Sequence, residues 1–222
     1  MDELAENMRA EYGVVIKTLS TTGNVCDEVV SVSKENSVDL IVMGTHGTSG
    51  FEEFFVGSNT YKVVTLSEIP VLSVQTNANH IGFKNIILPI DNSDYSRQKV
   101  NHAVVLAKHY ACKVSVLGLP DGESDVTEEN KFKIKIDQVN AYLEKSGVIH
   151  TSKIIKGKNQ AKLTMDYADS VNADLLMIMT DQVEDGTFLS SFAQQVVNHS
   201  KIPVFSIQPE EHNENIPWVH PY

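Results

Sequence analysis

From residue 84 onward, two hydrophobic periods alternate along the chain. An apolar run at 84–90 predicts a buried strand, and the segment 94–110 then places Val100, Ala103, Val104, Ala107 and Ala111 on one helical face. A strand at 113–117, a loop around Pro120 and Gly122, and a helix over 127–145 that stops at Gly147 follow. Strand 148–155, helix 159–171, strand 174–179, helix 190–200 and strand 203–208 complete the series. Strands separated by helices must run parallel through crossover connections, and a parallel sheet is covered on both faces. The expected fold is a doubly wound α/β domain.

The N-terminal part repeats the C-terminal part of this series. Ser58, Val63, Val64, Ser67, Ile69, Pro70, Val71, Ser73 and Gln75 recur at an offset of 133 as Ser191, Val196, Val197, Ser200, Ile202, Pro203, Val204, Ser206 and Gln208. Further back the offset is 135, pairing residues 37–40 with 172–175, and near Gly13 it is 134. The expectation is two copies of one unit: a partial first domain at 1–76, a complete second domain at 83–208 and a C-terminal tail at 209–222. At the 134 offset Met1 aligns with Lys135, so residues 84–134 have no counterpart in the first copy. That copy is expected to open inside its second helix, as in a product truncated at its N-terminus. Its strand at 14–19 is then either cut off from those at 40–43 and 69–74 or placed differently, because central strands left out would leave buried N–H and C=O groups unpaired.

Candidate chemistry concentrates after the apolar run ending at Met43. Gly44, Gly47 and Gly57 are separated by two and nine residues, and Ser58-Asn59-Thr60 supplies good N-cap residues for the next helix. A strand ending in glycines, a loop and a helix start leave backbone N–H groups aimed at one spot, which suits a phosphate. With its closing strand at 69–74, this pattern resembles the universal stress protein family, whose ATP-binding members carry G-x2-G-x9-G-(S/T). The resemblance implies a Rossmann-like fold of the adenine nucleotide alpha hydrolase type with strand order 3-2-1-4-5. It also implies a site for ATP, with Mg as a possible companion, at Met43, Gly44, Gly47, Gly57, Ser58 and Asn59. In the family an Asp at the end of strand 1 lies near the adenosine. Here that residue is Asp91 of the second copy, whose glycine loop has become 179–186 with three acids. The alternative is a structural or interaction module of the same fold with a decayed site.

Composition narrows the partners. A formal charge of −11 and the absence of a basic run argue against nucleic-acid and anionic-membrane surfaces. The longest apolar runs fall far short of a membrane span, and Met1-Asp2-Glu3-Leu4 lacks signal-peptide character, so a cytoplasmic protein is expected. Cys26 and Cys112 lack metal or disulfide spacing, and no hydrolase, P-loop or metal motif occurs; no catalytic or metal residue is assigned. Trp218 lies in the tail and is either mobile or docked. The strands from Val71 to Gln75 and from Val204 to Gln208 each close a sheet, and exposed edges are normally paired or protected. They are expected to pair antiparallel about a pseudo-twofold axis, within the chain or across a homodimer, because family members dimerise through this strand.

Overall fold

The computed structural model describes residues 1–45, 57–75, 82–122, 125–180 and 189–210. Helices α1 (Asp2–Tyr12) and α2 (Val25–Glu35) lead to strand β1 (Ile41–Gly44), helix α3 (Ser58–Leu66) and strand β2 (Val71–Val74). The second series is β3 (Asn85–Ile90), α4 (Val100–Tyr110), β4 (Lys113–Gly118), α5 (Val126–Lys145), β5 (His150–Ile154), α6 (Gln160–Ser170), β6 (Leu175–Met179), α7 (Ser191–His199) and β7 (Val204–Ile207). The segment expected as one helix over 94–110 divides into a short 3-10 turn, Asp94–Arg97, and α4. The Ser96 hydroxyl donates to the carbonyl oxygens of Asp91 and Ser93, which fixes that turn against the end of β3. Ala111 is not on the helical face but ends α4 in the left-handed conformation, φ 51°.

All seven strands form one sheet in the order β1-β2-β7-β6-β3-β4-β5. Every neighbour pair is parallel except β2 and β7, which are antiparallel. Leu72 stands opposite Phe205, its own counterpart at the 133 offset, with Val71 opposite Ser206 and Ser73 opposite Val204. The pairing expected of these strands is thus made within one chain and centred on a local twofold. Side chains from both strands add to it: Gln75 Nε2 donates to the Ser200 carbonyl at 3.2 Å, and Gln208 Nε2 to the Thr65 carbonyl at 3.3 Å. Ser67 and Ser200 each donate a hydroxyl bond of 2.7 Å to the carbonyl two residues on, just before the proline that starts each strand.

Helices α4 and α5 cover one face of the β3, β4, β6 and β7 region through Val100, Ala103, Phe132, Ile136, Val139 and Leu143. Helices α2, α3, α6 and α7 cover the opposite face, burying Cys26, Val63, Val64, Ala168, Val196 and Val197. These apolar faces follow from the helical spacing, and their removal from water is the dominant favourable term for the fold.

Residues 14–19 form no strand, and Val15 is 90% exposed. Their counterpart β5 is held by five residue pairings with β4. Among the described residues nothing corresponding to β4 lies beside 14–19. A strand forms only against a partner, so the chain here uses side chains. The Arg9 guanidinium donates to the Ile16 carbonyl, and the Thr18 hydroxyl to Asp2 at 2.9 Å.

Candidate functional site

The end of β1 and the start of α3 meet through three contacts. Thr45 N–H donates to Val74 C=O at 2.9 Å, which extends the β1–β2 ladder by one residue, and its own carbonyl accepts the Gly57 N–H at 2.5 Å. Within the first turn of α3, the buried Thr60 hydroxyl donates to the Gly44 carbonyl at 2.8 Å. A Cβ at position 57 would stand 3.1 Å from the Thr45 carbonyl oxygen, so a larger residue there must push the strand end away.

Gly57 is the N-cap of α3 and carries no side chain to bond the first turn. At the corresponding place in α7 the N-cap is Ser190, whose hydroxyl accepts the Ala193 N–H. A helix start presents unsatisfied N–H groups and a positive dipole end, and a capping oxygen consumes part of that capacity. Among the described residues position 57 therefore offers the first turn of α3 no capping side chain, where Ser190 caps α7. Ser58 and Asn59 are exposed at this start, while Met43 is half-buried against the face covered by α2 and α3. Gly47 lies outside the described residues, as do residues 181–186 of the second copy and Trp218.

Sequence reading overlooked the contribution of α2. Asn24 caps it, its side-chain oxygen accepting the Cys26 N–H at 3.0 Å and the Asp27 N–H at 3.5 Å. The buried Cys26 thiol lies 3.6 Å from both the carbonyl and the side-chain oxygen of Asn59, which joins the starts of α2 and α3. The signal was legible, because Asn24 recurs at the 135 offset as Asn159, the cap of α6. In the second half the starts of α6 and α7 flank a cavity of about 520 Å³ lined by Gly157, Asn159, Gln160, Ser191, Phe192 and Gln195.

The end of β3 in the second half is tied down by hydrogen bonds from its own chain. Asp91 accepts both the Ser93 N–H at 2.9 Å and the Ser93 hydroxyl at 2.5 Å. The Lys135 ammonium, from α5, donates to the carbonyls of Asp91, Asn92 and Ser93 at 3.3, 2.8 and 2.9 Å. Burial, and then the nearby Arg97 charge, lower the Lys135 pKa, against the opposing pull of Asp91, Asp94 and Asp121. No group of three or more His, Cys, Asp or Glu placed to hold a metal occurs among the described residues.

The profile of the universal stress protein family matches residues 2–75 and 82–208. The chain belongs to the universal stress protein family. Universal stress protein YxiE of Bacillus subtilis is 41% identical over 73 residues, covering 33% of this chain and 49% of that protein. Universal stress protein MJ0577 of Methanocaldococcus jannaschii is 34% identical over 73 residues, covering 32% and 45%. The chain thus spans about half the length of the curated relatives it matches. A crystal structure of a universal stress protein from Archaeoglobus fulgidus superposes with a TM-score of 0.74 at 18% identity, covering 93% of this chain and 76% of that one. That likeness carries the α/β fold. No helix among the described residues is long and apolar enough to cross a membrane.

Proposed function

We propose that this universal stress protein is an adenine-nucleotide-responsive regulator, with ATP, accompanied by Mg, as the ligand of its N-terminal half. The observation that carries this reading is the uncapped start of α3: Gly57 leaves first-turn N–H groups without a capping side chain, and Thr60 fastens that turn to Gly44. The triphosphate would sit at Gly47, Gly57, Ser58 and Asn59, with Met43 and Gly44 beneath it, and its charge would meet the positive end of α3. Binding would act through shape and partner exchange, since no assigned residue supplies a nucleophile or base. In this reading residues 1–76 are a partial domain, 83–208 a complete one and 209–222 a tail. The adenosine side of the first pocket needs a strand end equivalent to Asp91, so the 222-residue chain binds ATP weakly.

A second reading, a structural module of the same fold, draws support from the second half, where Lys135 and Ser93 already satisfy the strand end. The two separate in a titration of the chain with Mg-ATP followed by backbone amide shifts. Saturable shifts of Ser58, Asn59 and Thr60, with Ser191 and Phe192 unmoved, are the expected result. No shift at α3 up to millimolar nucleotide, or shifts at α7 alone, would reject nucleotide recognition by the first half.

A further inference from the structure

We propose that the seat of α4 on β7 is an acid-sensitive latch: His102 fits there as a neutral ring, and when it takes a proton the seat opens and Gln98 lets go of the chain that leaves β7. Two contacts hold the seat. The His102 ring lies against Phe205 of β7, with ring centroids 6.0 Å apart and planes inclined at 48°. Four residues earlier, the Gln98 side chain brackets Glu210: its Nε2 donates to the Glu210 carbonyl at 2.8 Å, and its Oε1 accepts the Glu210 N–H at 2.9 Å. The backbone at Gln98 and Lys99 is already helical, so residues 98 and 102 share one side of the helix. The chain from Phe205 to Glu210 is thus fastened to that side at both ends.

The surroundings of His102 suit a neutral ring and not a cation. Its Nδ1 is buried and has no hydrogen-bond partner among the described residues. An imidazolium would bring a charge and a second N–H donor to a place that offers no acceptor. β7 presents the apolar Phe205 and Ile207, and β2 places Leu72 opposite Phe205. One turn away on its own helix stand Val105, Leu106 and Lys99, whose ammonium donates to the Ser96 carbonyl at 2.5 Å; on the α5 side Asn101 accepts the Tyr142 hydroxyl. Among the described residues Glu210 is the one charged group whose field acts on the ring. Burial lowers the His102 pKa, and Glu210, exposed and so screened by water, raises it less. The folded chain therefore takes up the proton less readily than the unfolded chain. The stability contributed by the neutral ring is fully present above about pH 6.5, the ordinary imidazole value, and is lost as pH falls from there through the folded value. Because Phe205 faces Leu72 across the antiparallel pair, an opened seat carries the acid signal to the joint between the two halves.

The test uses no nucleotide, so it fails or succeeds independently of ATP recognition. Exchange of the Glu210 amide in the 222-residue chain, corrected for its intrinsic pH dependence, is followed from about pH 7.5 to about pH 5.5, across the imidazole range. His102→Leu, which keeps an apolar side chain against Phe205 and cannot take the proton, is measured beside it. We expect protection at Glu210 to fall by about threefold or more in the parent and to stay nearly constant in the variant. The urea midpoint should move with it, the parent losing ground to His102→Leu as the pH falls. His102→Gln, also without a titrating ring, should behave as the leucine variant does, so the comparison stands if leucine does not pack. The His102 ring of the parent, followed by its imidazole proton shifts, should titrate below the ordinary value. Equal loss of protection in parent and variants, a midpoint gap that does not change with pH, or a His102 ring that titrates at or above the ordinary value would each overturn the proposal.

Discussion

Gly57 shows how one residue sets what a helix start can do. Its backbone angles, φ −55° and ψ 143°, are open to any residue, so glycine is not required there by strain. Two other things require it: the 3.1 Å approach of the Thr45 carbonyl to a Cβ, and the lack of a side chain that would cap α3. The first is a small steric cost, the second a matter of which group satisfies the first-turn N–H. Gly57→Ser is therefore expected to shift stability by less than about 1 kcal/mol, the scale of a cap exchange offset by a tight contact. It should nevertheless weaken ATP binding by roughly tenfold, as loss of one hydrogen bond of about 1.4 kcal/mol would. Urea unfolding and the amide titration check the two parts. A serine variant that binds ATP unchanged would show that the cap position does not matter. The glycine spacing was legible in the sequence; the partnership of Cys26 and Asn59 was not, because packing between the starts of two helices leaves no periodic trace.

At the scale of elements, the alternation of strands and helices was readable throughout residues 84–208, since each apolar run has a period matched to its burial. Two departures have local causes. Hydrogen bonds from Ser96 turn residues 94–97 into a separate 3-10 turn, and residues 14–19 lack a neighbouring strand. The second shows that a strand-like run is a statement about a partner as much as about itself. The same logic explains the second-half strand end, where Lys135 takes the carbonyls of residues 91–93. Lys135→Met should keep an aliphatic stem at this position of α5 but lose three charge-assisted bonds. We expect a loss of about 2 kcal/mol, within the range for hydrogen bonds to charged groups, read from the urea midpoint at constant m-value. A variant as stable as the parent would mean that the loop from Asp91 to Ser93 holds itself through Asp91 and Ser93 alone.

For the whole molecule, the decisive contact is the antiparallel β2–β7 pair, which turns two short sheets into one and places the starts of α3 and α7 on opposite ends of it. The repeated Ile-Pro-Val-x-Ser-x-Gln run foretold that pairing, because an edge strand with proline only at its start is built to be paired. What the pattern could not give was whether the partner lies within the chain, since both strands carry the same sequence signal; the register of Leu72 opposite Phe205 answers it. The two halves differ at their corresponding helix starts: Gly57 gives α3 no capping side chain, whereas Ser190 caps α7. The most direct measurement is a calorimetric titration with Mg-ATP of the chain preceded by a copy of residues 82–134, alongside its Gly57→Val variant. We expect one ATP per chain, bound at least about tenfold more tightly than by the 222-residue chain, with binding lost in the variant. Absence of binding by the joined chain, or equal binding by the Gly57→Val variant, would contradict a nucleotide site at the start of α3.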